Sequence, residues 1–131
     1  MVRNMVLKSN GKRSFGKAGE QIAADFLRKK GYKIIEQNFR FGKLGEIDII
    51  SLENEYICFI EVKTRTGTAF GLPCESVNKR KQRNIIKLAQ IYLKENNLTE
   101  KNVRFDVVEV IAETIKGSIS VKDINLIRNA F

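Results

Sequence analysis

The run Tyr56-Ile57-Cys58-Phe59-Ile60-Glu61-Val62-Lys63-Thr64 constrains this chain more than any other segment. Read with period two, it puts Ile57, Phe59, Glu61 and Lys63 on one face of a strand and Cys58, Ile60, Val62 and Thr64 on the other. Because both faces are apolar, the strand is predicted to lie at the centre of a sheet covered on both sides. Charges at the end of such a strand are costly unless they bind a metal, a substrate or each other. Glu61 and Lys63 therefore mark a candidate site.

Two further strand-like runs precede it, Tyr32 to Phe41 and Leu44 to Leu52, joined by Gly42-Lys43 and by Glu53-Asn54-Glu55. Connections this short predict an antiparallel meander of three strands. Within the second run Glu46, Asp48 and Ile50 are expected to share a face. Ahead of the meander, Gly16 to Lys30 is predicted as a helix with Ile22, Ala23, Phe26 and Leu27 as its apolar stripe and Gly31 as its stop. Glu20 lies among Gly16, Ala23, Ala24 and Leu27 on the inward side, where a carboxylate needs a partner: a local cap or salt bridge, or a site.

After the meander, Arg65 to Val77 contains Gly67, Gly71 and Pro73 and reads as a flexible loop. Asn78 to Asn96 reads as a long helix capped by Asn78, with Ile85, Ile86, Leu88, Ala89, Tyr92 and Leu93 on its apolar arc and Gln82 on the inward side near its start. Val103 to Ala112 is a fourth strand and Ser118 to Ile127 a weaker fifth element. Because the fourth strand follows a helix, it is expected to join the sheet in parallel through a crossover. The order predicts an α/β domain, a mixed sheet flanked by helices, over residues 15–131. Residues 1–14, polar, basic and glycine-containing, are expected to form a mobile arm.

Charge is unevenly spread along the 131 residues. Met1 to Lys33 holds nine basic and two acidic residues, Ile34 to Val62 two and six, and Lys63 to Lys101 nine and three. An acidic island thus lies between basic flanks. Basic flanks attract a polyanion, and a carboxylate cluster inside them repels it unless a cation sits between. No stretch approaches the length of an apolar membrane span, and the two cysteines, Cys58 and Cys74, have no metal-ligand spacing, so a cytoplasmic protein with incidental cysteines is expected. The chain has no histidine, which excludes the common zinc sites and histidine-based triads. Carboxylates, lysine and a hard cation remain as equipment for phosphodiester cleavage.

Hydrolysing a phosphodiester requires a positioned water, a Lewis acid and help for the leaving oxygen. Asp48 and Glu61 are oxygen donors suited to Mg²⁺ or Mn²⁺, with the Val62 backbone carbonyl as a third ligand. Lys63 is placed to hold or deprotonate the attacking water or to stabilise the developing charge. Glu20 is a candidate for a second ion or a metal-bound water, and Glu46 a weaker accessory. Lys12, Arg13, Lys17, Arg65, Lys79, Arg80, Arg83 and Lys87 are candidates for phosphate contacts. The competing reading of the acidic set is a group of surface salt bridges between strands.

The segments Leu44-Gly-Glu-Ile-Asp-Ile-Ile50 and Phe59-Ile-Glu-Val-Lys-Thr-Arg65, with Gly16-x-x-Gly19-Glu20 and the basic helix from Lys79, resemble the YraN-like family of small bacterial proteins. That family is assigned to the PD-(D/E)xK, or restriction-endonuclease-like, superfamily, with archaeal Holliday junction resolvases among its relatives. The resemblance runs from about Lys12 to the fourth strand. It implies a mixed sheet flanked by helices and motif positions at Asp48, Glu61 and Lys63. It also implies a helix carboxylate at Glu20 and, more loosely, a helix glutamine at Gln82. Ile47 stands where the motif has proline.

The leading expectation is a Mg²⁺-dependent DNA endonuclease acting on branched or damaged DNA. The alternatives are a nucleic-acid-binding module that keeps the fold without cleaving, and an adaptor whose protein partner supplies the activity. Symmetric cutting of two strands would call for a homodimer.

Overall fold

The computed structural model of the chain describes residues 6–8, 12–66 and 77–131. In chain order it contains β1 (Val6–Lys8), α1 (Lys12–Lys29), β2 (Lys33–Arg40), β3 (Glu46–Glu53), β4 (Tyr56–Thr66), α2 (Lys79–Glu95), β5 (Asn102–Ile115) and β6 (Ser118–Ile127). The strands form one six-stranded sheet in the order β1-β6-β5-β4-β3-β2. β2, β3 and β4 make the antiparallel meander, β5 joins β4 in parallel, and β6 returns antiparallel to β5. The crossover carrying the parallel strand contains α2, as a parallel connection requires. This is the mixed α/β sheet, flanked by helices, that the order of elements predicted.

β4 is central, and its two faces feed two cores. Cys58, Ile60 and Val62 pack with Ala23, Ala24 and Leu27 of α1 and with Val108 and Val110 of β5. Ile57 and Phe59 pack with Ile85, Leu88, Ala89 and Tyr92 of α2 and with Val107. Tyr92 meets both Phe39 and Phe59 edge to face, with ring centroids 5.1 and 6.2 Å apart. Such contacts add a little to the burial of the rings and fix α2 against the sheet. α2 starts where the sequence indicated: the Asn78 side chain accepts a hydrogen bond from the Lys81 amide at 2.9 Å. Ile86, expected on its apolar arc, is instead exposed on the outer side, because the stripe that fits the sheet runs through Ile85, Leu88, Ala89 and Tyr92.

At the N-terminus the structure departs from the expected arm. Val6–Lys8 pairs with Ser118–Ser120 as a sixth strand, and α1 opens at Lys12, ahead of Gly16. The open edge of β6 offers backbone donors and acceptors regardless of the charge of the segment that meets them, a tertiary opportunity that composition does not register. The fifth element, read as weak, is a full strand of ten residues. Arg65 and Thr66, expected to lie in a loop, belong to β4; Gly67, Gly71, Pro73 and Cys74 of that expected loop lie outside the described residues. Cys58 is fully buried in the α1-side core, and burial first, with the charge of Asp106, pushes its thiol up to about 11. Among the described residues no helix is long and apolar enough to cross a membrane.

α1 lies against β4 at very short range. A Cβ placed on Gly19 would stand 1.7 Å from Thr64 Oγ1 and 2.8 Å from Thr64 Cβ. Only glycine permits that approach, which sets the next residue, Glu20, beside the sheet.

Candidate active site

The β3–β4 ladder runs from Glu53–Tyr56 to Ile49–Ile60. One step further, Asp48 Oδ2 accepts a hydrogen bond from the Val62 amide at 2.8 Å, so a side chain takes the place of a ladder bond. The alternation of β3 slips at this point. Ile47 and Ile50, an odd number of residues apart, share the α2-side core, whereas Ile49 packs on the α1 side. Sequence periodicity put Glu46, Asp48 and Ile50 on one face; the slip overturns that grouping. Ile50 faces the α2-side core, while the carboxylates of Glu46 and Asp48 reach that of Glu20 on α1, their nearest oxygens all within 4.8 Å of one another.

Asp48 therefore joins two groups. Towards α1 lie Glu20 and Glu46, bridged by Asn38, whose Nδ2 donates to Glu20 Oε1 at 2.8 Å and to Glu46 Oε1 at 3.3 Å. Asn38 adopts a left-handed backbone, with φ of 54°, a conformation that asparagine tolerates better than most residues. Arg40 Nε donates to the other Glu46 oxygen at 2.7 Å. Beside this group Lys17, Glu20, Gln21, Gln37 and Asn38 line an open recess of about 320 Å³. Towards α2 lie Glu61 and Lys63, on the face that period two gave them.

Glu61 is buried, and its Oε2 stands 2.6 Å from Lys81 Nζ in an ion pair that lacks hydrogen-bond geometry. Burial raises the pKa of Asp48 well above the usual carboxylate range, and its contact with the Glu61 carboxylate raises it further; the Val62 amide works in the opposite direction. Lys63 is pushed down, first by burial and then by the neighbouring Lys81 charge, with Glu61 and Asp48 opposing. Burial also works against the Lys81 charge, but the attraction of Glu61 outweighs it and raises its pKa.

Of the residues singled out in the sequence, Asp48, Glu61, Lys63, Glu20 and Glu46 come together around the splayed end of β3 and β4. Gln82 does not turn towards Glu61: its Nε2 donates to the Val77 carbonyl at 2.8 Å and secures the start of α2. Arg65 pairs with Glu109 of β5 at 3.4 Å. Lys79, Arg80, Arg83 and Lys87 are exposed along α2, Lys17 is exposed on α1, and Lys12 and Arg13 stand in the first turn of α1.

Three participants were missed. Lys81 was detectable, because it shares the inward stripe of α2 with Ile85, Leu88 and Tyr92 at helical spacing. Glu109, buried and opposite Lys63 across the parallel ladder, carries the same signal as Glu61, a carboxylate inside an apolar strand. Asn38 left no comparable trace.

A second buried polar cluster occupies the other end of the sheet. Arg104 donates to both oxygens of Asp106 at 3.0 Å and to the Tyr32 hydroxyl at 2.8 Å, and pairs with Glu53 at 2.9 Å. Asp106 also accepts the Asn129 amide at 3.0 Å. These groups satisfy one another and tie the α1–β2 connection, β3, β5 and the C-terminal segment together.

The model of uncharacterised protein family UPF0102 matches residues 19–110, which include every carboxylate of the first cluster. A UPF0102 protein of Acetivibrio thermocellus is 52% identical over 130 residues, covering 99% of this chain and all of that one. One from Caldanaerobacter subterraneus is 46% identical over 125 residues, covering 95% of this chain and all of the relative, and one from Clostridium kluyveri is 48% identical over 119 residues, covering 91% and 94%. Among solved structures, that of Pyrococcus furiosus SfsA in complex with Ca²⁺ aligns with 20% identity and a TM-score of 0.40, over 89% of this chain and 68% of that one. With the family match and these relatives spanning nearly its whole length, the chain belongs to the UPF0102, or YraN-like, family.

Proposed function

We propose that this protein is a divalent-metal-dependent DNA endonuclease that hydrolyses phosphodiester bonds, with branched or damaged DNA as its substrate class. The observation that carries this reading is the pair of buried carboxylates, Asp48 and Glu61, held in contact at the splayed end of β3 and β4 with Lys63 alongside. Two buried carboxylates in contact form a costly arrangement, and Glu61 Oε2 is buried without a well-formed hydrogen bond.

Both features fit Mg²⁺ or Mn²⁺, which take hard oxygen donors. Asp48 and Glu61 would hold the ion, with the Val62 carbonyl as third donor. The Val62 amide already faces Asp48, and in an extended strand the amide and carbonyl of one residue leave by the same edge. Once bound, the ion would supply Lewis-acid stabilisation of the charge that develops on the phosphate.

The chain's own groups do the rest. Lys63, its pKa lowered by burial and by Lys81, is suited to exchanging a proton with the attacking water. Glu20 and Glu46, oriented by Asn38, offer acceptors for a water or a second ion on the α1 side. Arg80, Arg83 and Lys87 on the outside of α2, with Lys17 on α1, provide a sequence-independent attraction for the phosphate backbone. The homodimer that symmetric cutting needs belongs to the same proposal.

One observation favours a different reading. The Lys81–Glu61 pair partly neutralises the site with no metal, as suits a nucleic-acid-binding module that does not cleave. Cleavage of linear duplex, single-stranded, flap and four-way-junction DNA, with and without Mg²⁺, separates the two. Endonuclease activity is expected in wild type and lost in Asp48→Asn and Lys63→Ala. Cleavage undiminished in Lys63→Ala would remove the endonuclease reading, and salt-sensitive, metal-independent binding that survives Asp48→Asn would establish the binding module.

A further inference from the structure

We propose that Lys81 is the resident counter-ion of this site, holding Glu61 while no divalent ion is bound and giving it up when one binds, so that the first turn of α2 sets the site's metal affinity. The inference rests on the metal-site reading above and adds a residue and a regulatory role to it.

The geometry supplies each part. Glu61 is fixed: its side chain is 4% exposed and stands on the central strand. Lys81 is the movable partner, because its side chain is 41% exposed and its ammonium reaches inward along the helix surface to within 2.6 Å of Glu61 Oε2. The backbone beneath it is held. The Lys81 amide is capped by Asn78, and Gln82 is bonded to the Val77 carbonyl. Releasing Glu61 therefore takes a change of lysine rotamer and leaves the helix where it is.

Charge requires the exchange. Lys81 already pairs with Glu61, and Lys63 stands on the same face of β4, so a divalent ion entering between the two carboxylates meets a Glu61 whose charge is compensated and is repelled by two ammonium groups. Lys63 is held on β4 and half-buried, so Lys81 is the one free to leave. Its exit leads outward, to the side where Arg80 and Arg83 stand exposed, and there a departing ammonium becomes one more phosphate contact. Metal binding and DNA binding are then coupled through one side chain, and the coupling is reciprocal.

The test measures Mn²⁺ binding by electron paramagnetic resonance in wild type, Lys81→Ala, Lys81→Arg and Asp48→Asn, with circular dichroism to confirm folding. DNA affinity is measured with and without Ca²⁺ in each. Lys81→Ala is expected to bind Mn²⁺ about tenfold more tightly than wild type. Lys81→Arg, which keeps the charge, is expected to stay within about twofold of wild type. Ca²⁺ is expected to strengthen DNA binding in wild type by a factor that shrinks in Lys81→Ala. Mn²⁺ affinity unchanged or weaker in folded Lys81→Ala, with binding still abolished by Asp48→Asn, overturns the role of Lys81 and leaves the metal site standing. Mn²⁺ binding absent from wild type, or indifferent to Asp48→Asn, removes both.

Discussion

Replacing Gly19 by alanine sets two opposed effects against each other, and the structure says which wins. In the interior of a helix the change ordinarily stabilises by about 1 kcal/mol, because alanine loses less backbone entropy than glycine on folding. At Gly19 the new Cβ would lie 1.7 Å from Thr64 Oγ1, 3.0 Å from its Cγ2 and 2.8 Å from its Cβ. Rotating Thr64 clears the first two contacts and leaves the third, since Cβ is fixed to the strand. α1 must then retreat by roughly 0.6 Å to bring 2.8 Å up to the 3.4 Å edge of ordinary contact. It would loosen the fully buried Ala23, Ala24 and Leu27 from β4 as it went. Forcing an extra methyl into a packed interface costs about 1–3 kcal/mol, so the net expectation is a loss of up to about 2 kcal/mol. Gly16, one turn earlier, is the internal control: a Cβ there meets nothing within 4 Å, so Gly16→Ala should stabilise by roughly 0.5–1 kcal/mol. Urea unfolding followed by circular dichroism reads both variants, and Thr64→Ala added to Gly19→Ala should restore part of the loss. If Gly19→Ala is as stable as Gly16→Ala, the close approach of α1 to β4 is wrong, and with it the placement of Glu20.

Two further expectations rest on the buried carboxylates. Burial first, then Glu61, holds Asp48 protonated to a higher pH than in the unfolded chain, where a value near 3.8 is usual. Between those two pKa values the native state binds more protons than the unfolded state. Metal-free stability is therefore intact below pH 3.8 as far as this group is concerned, and falls as pH rises towards the folded value, by up to about 1.4 kcal/mol per pH unit. Asp48→Asn should flatten that slope in urea titrations run in chelator from pH 6 to 9; a slope that persists unchanged assigns the proton elsewhere. At the other end of the sheet, Asp106→Ala removes the carboxylate that holds Arg104 Nε and the Asn129 amide, leaving a buried guanidinium with only Glu53 and Tyr32. A loss of about 3–5 kcal/mol is expected from thermal or urea unfolding. A loss below about 1 kcal/mol would mean that the cluster is solvated and peripheral.

The sheet was legible because each strand's contacts repeat along the chain. β4 showed both cores at once in its apolar faces, the short turns dictated the meander, and a helix before β5 dictated the parallel pairing. Asn78 announced the start of α2 through local hydrogen bonding alone. β1 was illegible, since nothing in Val6-Leu7-Lys8 demands a strand until β6 offers an edge. The site was half legible for a related reason. Period two placed Glu61 and Lys63 correctly, because β4 keeps an unbroken parallel register with β5 from Tyr56 to Thr66. It misplaced Asp48 relative to Ile50, because β3 is released from β4 beyond Ile49 and changes phase there. That release has consequences for chemistry. A β3 still in register would give its ladder bond to β4 and keep Asp48 on Ile50's side, in the α2 core. The slip frees the Val62 amide for the Asp48 carboxylate and turns the end of β3 towards α1, so that one aspartate meets Glu61 from one helix-facing side and Glu20 from the other. The same step that breaks the strand's period assembles the carboxylates, and a periodicity argument fails at the residue where the site is made.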